Sequence, residues 1–148
     1  MDTDKNLQAR WKELCRLMVK AGYQNVPADP NEGGTIVESP QNTVLPRVGV
    51  WLMPDNLSPG ILEDFLRYLV PSGDVLIERA EKAVNDIPQE ERRFKEQAKP
   101  KAIIHTWLAW QEDPGTPLGR SIAYHYLHHN VPQVDVFIAW LKRLFELS

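Results

Sequence analysis

The sequence predicts an α/β fold with a small, mainly parallel sheet flanked by helices and a helix-rich C-terminal half. Two patterns support this class. A short apolar run at 48–53 is typical of a buried strand, and an amphipathic helix follows it after a polar turn. From residue 74 onward, apolar side chains recur at helical spacing in successive segments. We expect roughly two to four strands, fewer than in an average sheet.

Composition limits the classes of protein that the chain can belong to. Its 148 residues fit one domain spanning 1–148, of which 99–148 form a helical C-terminal part. A net charge of -3 does not favour a general nucleic-acid binder. The sequence has one cysteine, no long apolar run and a charged start. We therefore expect a cytoplasmic protein without a membrane segment.

In the N-terminal part, the spacing predicts a helix from about Asp4 to Ala21, capped by Thr3 or Asp4 and ended by Gly22. Its buried face holds a set of apolar residues: Leu7, Trp11, Leu14, Cys15 and Met18. A loop-rich stretch follows, and GTIVES within it is typical of a short edge strand.

The central segment 48–66 is predicted to form a strand, a turn and a helix. Pro54 ends the strand, and Ser58 is a natural N-cap for a helix with Pro59 at its first position. This order places Asp55 at the carboxyl end of a strand, where α/β sheets bind ligands. Glu63 and Asp64 lie just beyond, within the first helical turns.

The C-terminal half reads as a series of helices. Asp74 is expected to open one of them, and the mixed charges of 89–99 indicate either a solvated face or a binding surface. The next helix, 101–111, should be nearly surrounded by protein. On it, Lys101 and His105 lie four residues apart and could reach one space, so both are candidate phosphate contacts. A hydrogen-bonded core histidine is the alternative.

Two further helices are expected towards the chain end. One begins at Pro117, and on it His125, His128 and His129 have a spacing that can place two imidazoles on zinc. A polar helix end without metal is the alternative interpretation. The last helix, from about Gln133 to Leu147, should bury apolar residues that include Ile138 and Phe145, and its Trp140 could lie in a partner interface.

The common motifs for phosphate, dinucleotide, thiol-redox and serine-hydrolase chemistry are absent from the sequence. What remains is a group of carboxylates: Asp2, Asp4, Asp55, Glu63 and Asp64. Clustered carboxylates are what a Mg²⁺ site acting on phosphodiesters needs, because hard oxygen ligands hold the ion. For Asp2 and Asp4, the residues alone favour the other interpretation, a helix cap with favourable charge at the positive end of the dipole.

Three stretches also resemble a known family: MPDNLSPGILEDFL at 53–66, IPQEERRF at 87–94 and KAIIHTWLAWQEDPGTPLGRSIAYHYL at 101–127. They resemble an uncharacterised bacterial family, a domain of unknown function placed among the Toprim-like domains. The resemblance implies an acidic site made of an early Glu and a later Asp-x-Asp pair, which Asp2 and Asp4 match. Family members carry a segment with that Glu ahead of the pair. Here the sequence starts at the pair, so we expect either a short gene or a start placed too late.

The leading hypothesis is a Toprim-like, Mg²⁺-dependent protein that binds or cleaves nucleic-acid phosphodiesters. Its metal ligands would be the five carboxylates named above, and its catalytic residues Asp55, Glu63, Lys101 and His105. The hypothesis requires Asp4, Asp55 and Glu63 to meet around one pocket. The alternative is a noncatalytic interaction or structural protein that keeps the family scaffold. In either case, an unpaired sheet edge would favour a homo-oligomer.

Overall fold

The computed structural model describes residues 1–2 and 6–147. Its regular elements are α1 Leu7–Ala21, β1 Thr35–Val37, β2 Val48–Val50, α2 Leu62–Leu69, α3 Val75–Asn85, α4 Lys99–Ala109 and α5 Pro132–Phe145. Short 3₁₀ helices occur at Gln89–Glu91, Glu96–Ala98 and Leu118–Arg120. The chain divides into unit 1, Met1–Leu62 with Pro132–Ser148, and unit 2, Glu63–Val131. Across the described ranges, none of the helices has the length and apolarity needed to cross a bilayer.

The sheet differs from the prediction. In the described residues it consists of β1 and β2, which pair antiparallel with Thr35 opposite Val50 and Val37 opposite Val48. The expected mainly parallel sheet is therefore wrong. The connection 38–47 is too short for the crossover that parallel neighbours require, so the chain returns beside itself in the opposite direction. The apolar run also leaves the strand early, because the Leu52 N–H bonds the Asn56 side chain at 2.7 Å.

Helix α1 forms the core of unit 1 with the sheet. Asn6 caps its start by accepting a hydrogen bond from the Ala9 N–H at 2.8 Å, whereas Thr3 and Asp4 lie outside the described residues. Gly22 ends the helix at φ 105°, as predicted. The core cluster combines residues of α1, β1, β2 and their flanks: Leu7, Trp11, Met18, Tyr23, Val37, Val50 and Leu52.

Trp140 on α5 packs against the sheet of unit 1. Trp140 is only 6% exposed, and its Nε1 donates to the Thr35 carbonyl oxygen at 3.2 Å. The predicted role of Trp140 in a partner interface is therefore replaced by one in the core. Ile138 and Phe145, which were expected to be buried, are exposed instead. The helix turns its large indole inward, and these two side chains lie on other faces.

Two glycines let the Trp140 indole reach the backbone. A Cβ added at Gly49, in the middle of β2, would lie 2.8 Å from Trp140 Cζ2 and would also overlap Leu144. A Cβ at Gly34, where φ is +81°, would overlap the indole of Trp140 as well. The absence of side chains at these positions is therefore a packing requirement of unit 1.

Unit 2 is built on α3 and α4, which pack against each other. Asp74 caps α3 as predicted, accepting hydrogen bonds from the Leu76 N–H at 2.7 Å and the Ile77 N–H at 3.1 Å. Its second oxygen accepts the Trp107 indole N–H at 3.2 Å. One side chain thus fixes the start of α3 and joins it to α4.

Two predicted helices have other boundaries or are missing. Helix α2 begins at Leu62 and not at Pro59. The helix expected from Pro117 is limited to a 3₁₀ turn at Leu118–Arg120, after which the N–H groups of Tyr126 and Leu127 both bond the Ser121 carbonyl. The backbone at 121–130 is therefore not helical, and the histidine spacing that assumed a helix does not apply.

We predict that Gly49→Ala destabilises unit 1 by about 1–3 kcal/mol, because the added methyl group overpacks the contact with Trp140 and Leu144. Urea denaturation followed by tryptophan fluorescence measures this loss. Gly33→Ala is the matched control, since its Cβ would meet only Arg143 Nη2 at an ordinary 3.6 Å. Equal stability of the Gly49→Ala variant and the wild type would contradict the packing described here.

Candidate functional site

The turn after β2 is held by two neighbouring side chains of unit 1. Asp55 Oδ1 accepts the N–H groups of Leu57 at 3.0 Å and Ser58 at 2.7 Å. Asn56 has φ 63°, a left-handed conformation that asparagine tolerates, and is 2% exposed. Its Oδ1 accepts the Leu52 N–H, and its Nδ2 donates to the Glu32 carbonyl oxygen at 3.1 Å. The Asn56 amide therefore ties the turn to the segment before β1.

Beside this turn lies a cavity of about 350 Å³, which we call the Trp51 cavity. Its walls combine an indole, other apolar groups, an amide and two carboxylates: Glu32, Gly33, Trp51, Pro54, Asp55, Leu57, Gln133 and Val136. Among the residues that the structure describes, the lining contains two acidic side chains and neither Lys nor Arg. The cavity therefore offers negative charge next to an aromatic surface.

The predicted Asp-x-Asp pair can be placed only in part. Asp2 Oδ1 accepts the Leu62 N–H at 3.0 Å, so this carboxylate satisfies a backbone donor at the start of α2. Asp4 lies outside the described residues. Asp2 therefore caps a helix, which was one of its two interpretations, but the helix is α2 and not α1.

Glu63 and Lys101, both predicted site residues, meet in unit 2. Lys101 Nζ lies 3.5 Å from Glu63 Oε1. Glu63 is only 4% exposed, whereas the Lys101 side chain is 58% exposed. A carboxylate withdrawn from water is thus compensated by one cation that itself remains largely in water.

A cavity of about 300 Å³ in unit 2, which we call the Glu63 cavity, brings Glu63 and Asp64 together. Of the described residues, four carboxylates, two cationic groups and three apolar residues line it: Glu63, Asp64, Arg67, Glu81, Glu96, Lys99, Pro100, Ile103 and Ile104. Arg67 Nε lies 2.8 Å from Glu81 Oε1, and Lys99 Nζ lies 3.9 Å from Glu96 Oε1. The lining therefore carries an excess of negative charge.

The remaining predicted site residues are exposed. His105 is exposed on α4, as is Lys101 one turn before it. Helix α4 is less enclosed than expected, because it buries Ile104, Trp107 and Leu108 while Trp110 stays exposed. His125, His128 and His129 are also exposed. Within the described part of the chain, no three His, Cys, Asp or Glu residues form a group that could hold a metal ion.

Cys15 packs partly against the core of unit 1 and donates its S–H to the Pro27 carbonyl at 3.6 Å. Burial raises the pKa of the Cys15 thiol above its ordinary value. The thiol therefore stays protonated at neutral pH, as expected for a structural cysteine and not for a nucleophile.

Sequence reasoning missed several cavity residues. Glu81 on α3 and Glu96 in a 3₁₀ turn line the Glu63 cavity, and Glu32 lines the Trp51 cavity. Glu96 belongs to the charged stretch 89–99, for which a binding surface was one of the two interpretations. No sequence pattern pointed to Glu32 as a cavity residue, because it precedes a short strand in a stretch that is typical of a turn.

We predict that Lys101→Ala destabilises unit 2 by about 1–3 kcal/mol, because it leaves the Glu63 carboxylate buried without its cation. The double variant Lys101→Ala with Glu63→Gln should recover part of the loss, and urea denaturation of the wild type, the two single variants and the double variant gives the coupling. Lys82→Ala is the control, since Lys82 and Asp86 form an exposed pair, with side chains 75% and 61% exposed. Additive effects in the cycle would show that the pair contributes nothing.

Comparison with known proteins identifies the family to which the chain belongs. No curated protein and no solved structure matches it significantly. The family described as "Protein of unknown function (DUF3226)" matches residues 1–146, which is nearly the whole chain. The expected membership in a family of unknown function is thereby confirmed, and the chain belongs to the DUF3226 family.

Proposed function

We propose that this DUF3226 protein is a noncatalytic binding protein whose Glu63 cavity takes up an organic amine. It shares with the alternative hypothesis, a noncatalytic interaction or structural protein, only the lack of catalysis, and the amine ligand is new. The proposal is supported mainly by one observation, the buried Glu63 carboxylate at the wall of a cavity.

The environment of Glu63 favours an added cation. Charge-assisted N–H to carboxylate bonds are typically about 2.7–2.9 Å long, but the contact between Lys101 Nζ and Glu63 Oε1 is 3.5 Å. Lys101 can move into water without losing a buried position, because its side chain is already more than half exposed. A ligand ammonium group could therefore take its place beside Glu63 at low cost.

The rest of the cavity sets the other properties of the ligand. Arg67 is paired with Glu81, and Lys99 lies near Glu96, so the basic groups of the lining are engaged with acidic ones. The apolar side chains of Ile103 and Ile104 favour an apolar chain. An alkyl chain carrying an ammonium group satisfies both features, and a phosphate group would face an excess of like charge.

Two predicted metal ligands of unit 1, Asp2 and Asp55, are engaged by the backbone. Asp2 accepts the Leu62 N–H, and Asp55 accepts the N–H groups of Leu57 and Ser58. Both carboxylates satisfy backbone donors that would otherwise need water, so their presence is accounted for by local structure.

A Toprim-like, Mg²⁺-dependent action on nucleic-acid phosphodiesters is the second candidate. Glu63 and Asp64 line one cavity with Glu81 and Glu96, but no three of the described acidic residues converge on one point, so a Mg²⁺ ion there would have at most two protein ligands and would keep several waters. In this proposal, Lys101 and His105 on the exposed side of α4 would contact phosphate. Since the lining is acidic, nucleic acid could approach it only with the metal bound.

Isothermal titration calorimetry with 1,4-diaminobutane and, separately, with MgCl₂ tests these proposals. We expect the diamine to bind the wild type, and Glu63→Gln to weaken binding about tenfold or more, because the charged hydrogen bond is lost. Glu90→Gln, which removes an exposed carboxylate of unit 2, should leave binding unchanged.

The outcomes separate the two candidates. Absence of diamine binding up to about 10 mM, or equal affinity of the Glu63→Gln variant, would overturn the amine proposal. Submillimolar Mg²⁺ binding that is lost in Glu63→Gln, together with Mg²⁺-dependent cleavage of single-stranded DNA or RNA, would establish the second candidate in its place.

A further inference from the structure

A groove of about 540 Å³ runs along one edge of β2 in unit 1, and we call it the β2 groove. Its lining includes Met1 and all three residues of β2 but, among the described residues, none of β1, so it borders the edge that β1 leaves uncovered. We propose that this groove binds an extended, apolar segment of a partner polypeptide, which adds to the sheet as a strand parallel to β2. The inference does not rest on the amine proposal, because the Glu63 cavity belongs to unit 2.

Met1 shows how a backbone pairs with this edge. Its nitrogen donates to the Trp51 carbonyl oxygen at 2.6 Å, and its carbonyl oxygen accepts the Met53 N–H at 2.8 Å. Two bonds to the residues on either side of Leu52 are the pattern of a parallel pair. Within the described residues, no further backbone pairs with this edge beside Val48–Val50. Met1 therefore defines the direction and the register of a strand whose remaining positions lie in the groove.

The backbone of β2 offers the groups that such a strand needs. Trp51 turns its carbonyl oxygen to this edge, because that oxygen accepts the hydrogen bond of the Met1 nitrogen. Residues two apart in an extended strand direct their N–H and C=O groups to the same edge. Gly49 therefore faces the groove with both groups, whereas Val48 and Val50 face their partners on β1. An incoming residue opposite Val50 would donate to the Gly49 oxygen and accept the Trp51 N–H.

The two faces of the sheet determine the side chains of the occupant. Val50 packs in the core cluster with residues of α1, whereas a Cβ at Gly49 would meet Trp140 of α5. The sheet is thus covered by α1 on one face and by α5 on the other, and Leu14 and Leu141 extend these two apolar walls along the groove. The side chains of an added strand alternate between the two faces. A strand covered on both faces is a continuous apolar run, so we expect about three consecutive apolar residues in the partner.

The recessed position of the edge favours a free segment over a second copy of the chain. Neighbouring strands lie about 4.7–4.9 Å apart. The β2 strand of a second copy is itself flanked by α1 and α5, and these helices would collide with the walls of the groove before the two strands could pair. An extended segment without helices on its faces can enter. Because Met1 lies opposite Leu52, this segment pairs only along Val48–Val50, a length of about 10 Å at about 3.3 Å per residue.

Calorimetric titration of the full chain with the blocked peptide acetyl-Ser-Val-Ile-Val-Ser-amide tests the inference. The peptide carries no charge, so the carboxylates of the Glu63 cavity do not attract it. We expect a dissociation constant below about 1 mM, since main-chain hydrogen bonds and apolar burial both contribute. The same peptide N-methylated at its three apolar residues is the control. It keeps the side chains but loses the N–H donors, so it should bind at least about tenfold more weakly.

A variant of the groove wall gives a second test. Leu141→Glu should weaken binding of the peptide about tenfold or more, because it places a charge on an apolar wall. Ile138→Glu makes the same change at an exposed position of α5 that does not line the groove, and it should bind as the wild type does. Circular dichroism of each variant shows whether the fold is retained, and the comparison of the two peptides needs no variant.

Each outcome decides the inference. Absence of peptide binding up to about 5 mM, equal binding of the N-methylated peptide, or unchanged affinity in a folded Leu141→Glu variant would overturn strand addition in the β2 groove. Sedimentation velocity of the chain alone tests the other occupant. A dimer that Leu141→Glu dissociates and Ile138→Glu does not would assign the groove to a second copy and overturn the partner segment. A monomer that binds the peptide supports the proposal.

Discussion

The structure of unit 1 depends on the contact between the Trp140 indole and the antiparallel pair. A two-stranded sheet is marginal in water unless another element covers it. Trp140 packs where Gly34 and Gly49 leave room, and its N–H satisfies the Thr35 carbonyl oxygen. The rings of Trp51 and Phe137 extend the same cluster, each with its centroid 5.5 Å from that of Trp140. A helix from the chain end thereby completes a core begun by the first half of the chain.

The features that sequence reasoning predicted correctly depend on close neighbours along the chain. Gly22 ends α1 and Asp74 begins α3, because each cap is decided within a few residues. The burial of Trp140 could not be predicted in this way. Its partner Thr35 is 105 positions away, and an aromatic residue on an amphipathic helix is equally compatible with a core or an interface.

The start of α2 shows a local signal being overridden. Ser58 and Pro59 form a good N-cap and first helical position on their own. The Ser58 N–H is instead bonded by Asp55, and the helix begins at Leu62, whose N–H is accepted by Asp2 from 60 positions earlier. The parallel sheet failed for a related reason, since strand direction is decided by the length of the connection and not by the apolar pattern of Val48–Val50.

The candidate sites show why carboxylates are hard to assign from sequence alone. An acidic side chain can accept a backbone hydrogen bond, pair with a cation or bind a ligand. These roles differ in the partners and the burial of the side chain, and not in its sequence. Asp55 was singled out from its place after a strand, and it both closes a turn and lines a cavity. Glu32 shares that cavity but belongs to a stretch with no periodic pattern, so only the folded chain brings the two together.

Burial distinguishes the acidic residues from one another. Solvent compensates the charge of a carboxylate that is exposed to water. A contact of such a carboxylate with a lysine or a backbone N–H therefore does not indicate a ligand site. The Glu63 carboxylate is buried and therefore lacks this compensation. The cation beside it, Lys101 Nζ, lies 3.5 Å away on a side chain that is itself mostly in water. Withdrawing an ion from water costs several kcal/mol unless charge and hydrogen bonds replace the lost solvent. The cavity beside Glu63 is where such a replacement can enter, and the sign of the charge it must carry follows from the carboxylate itself.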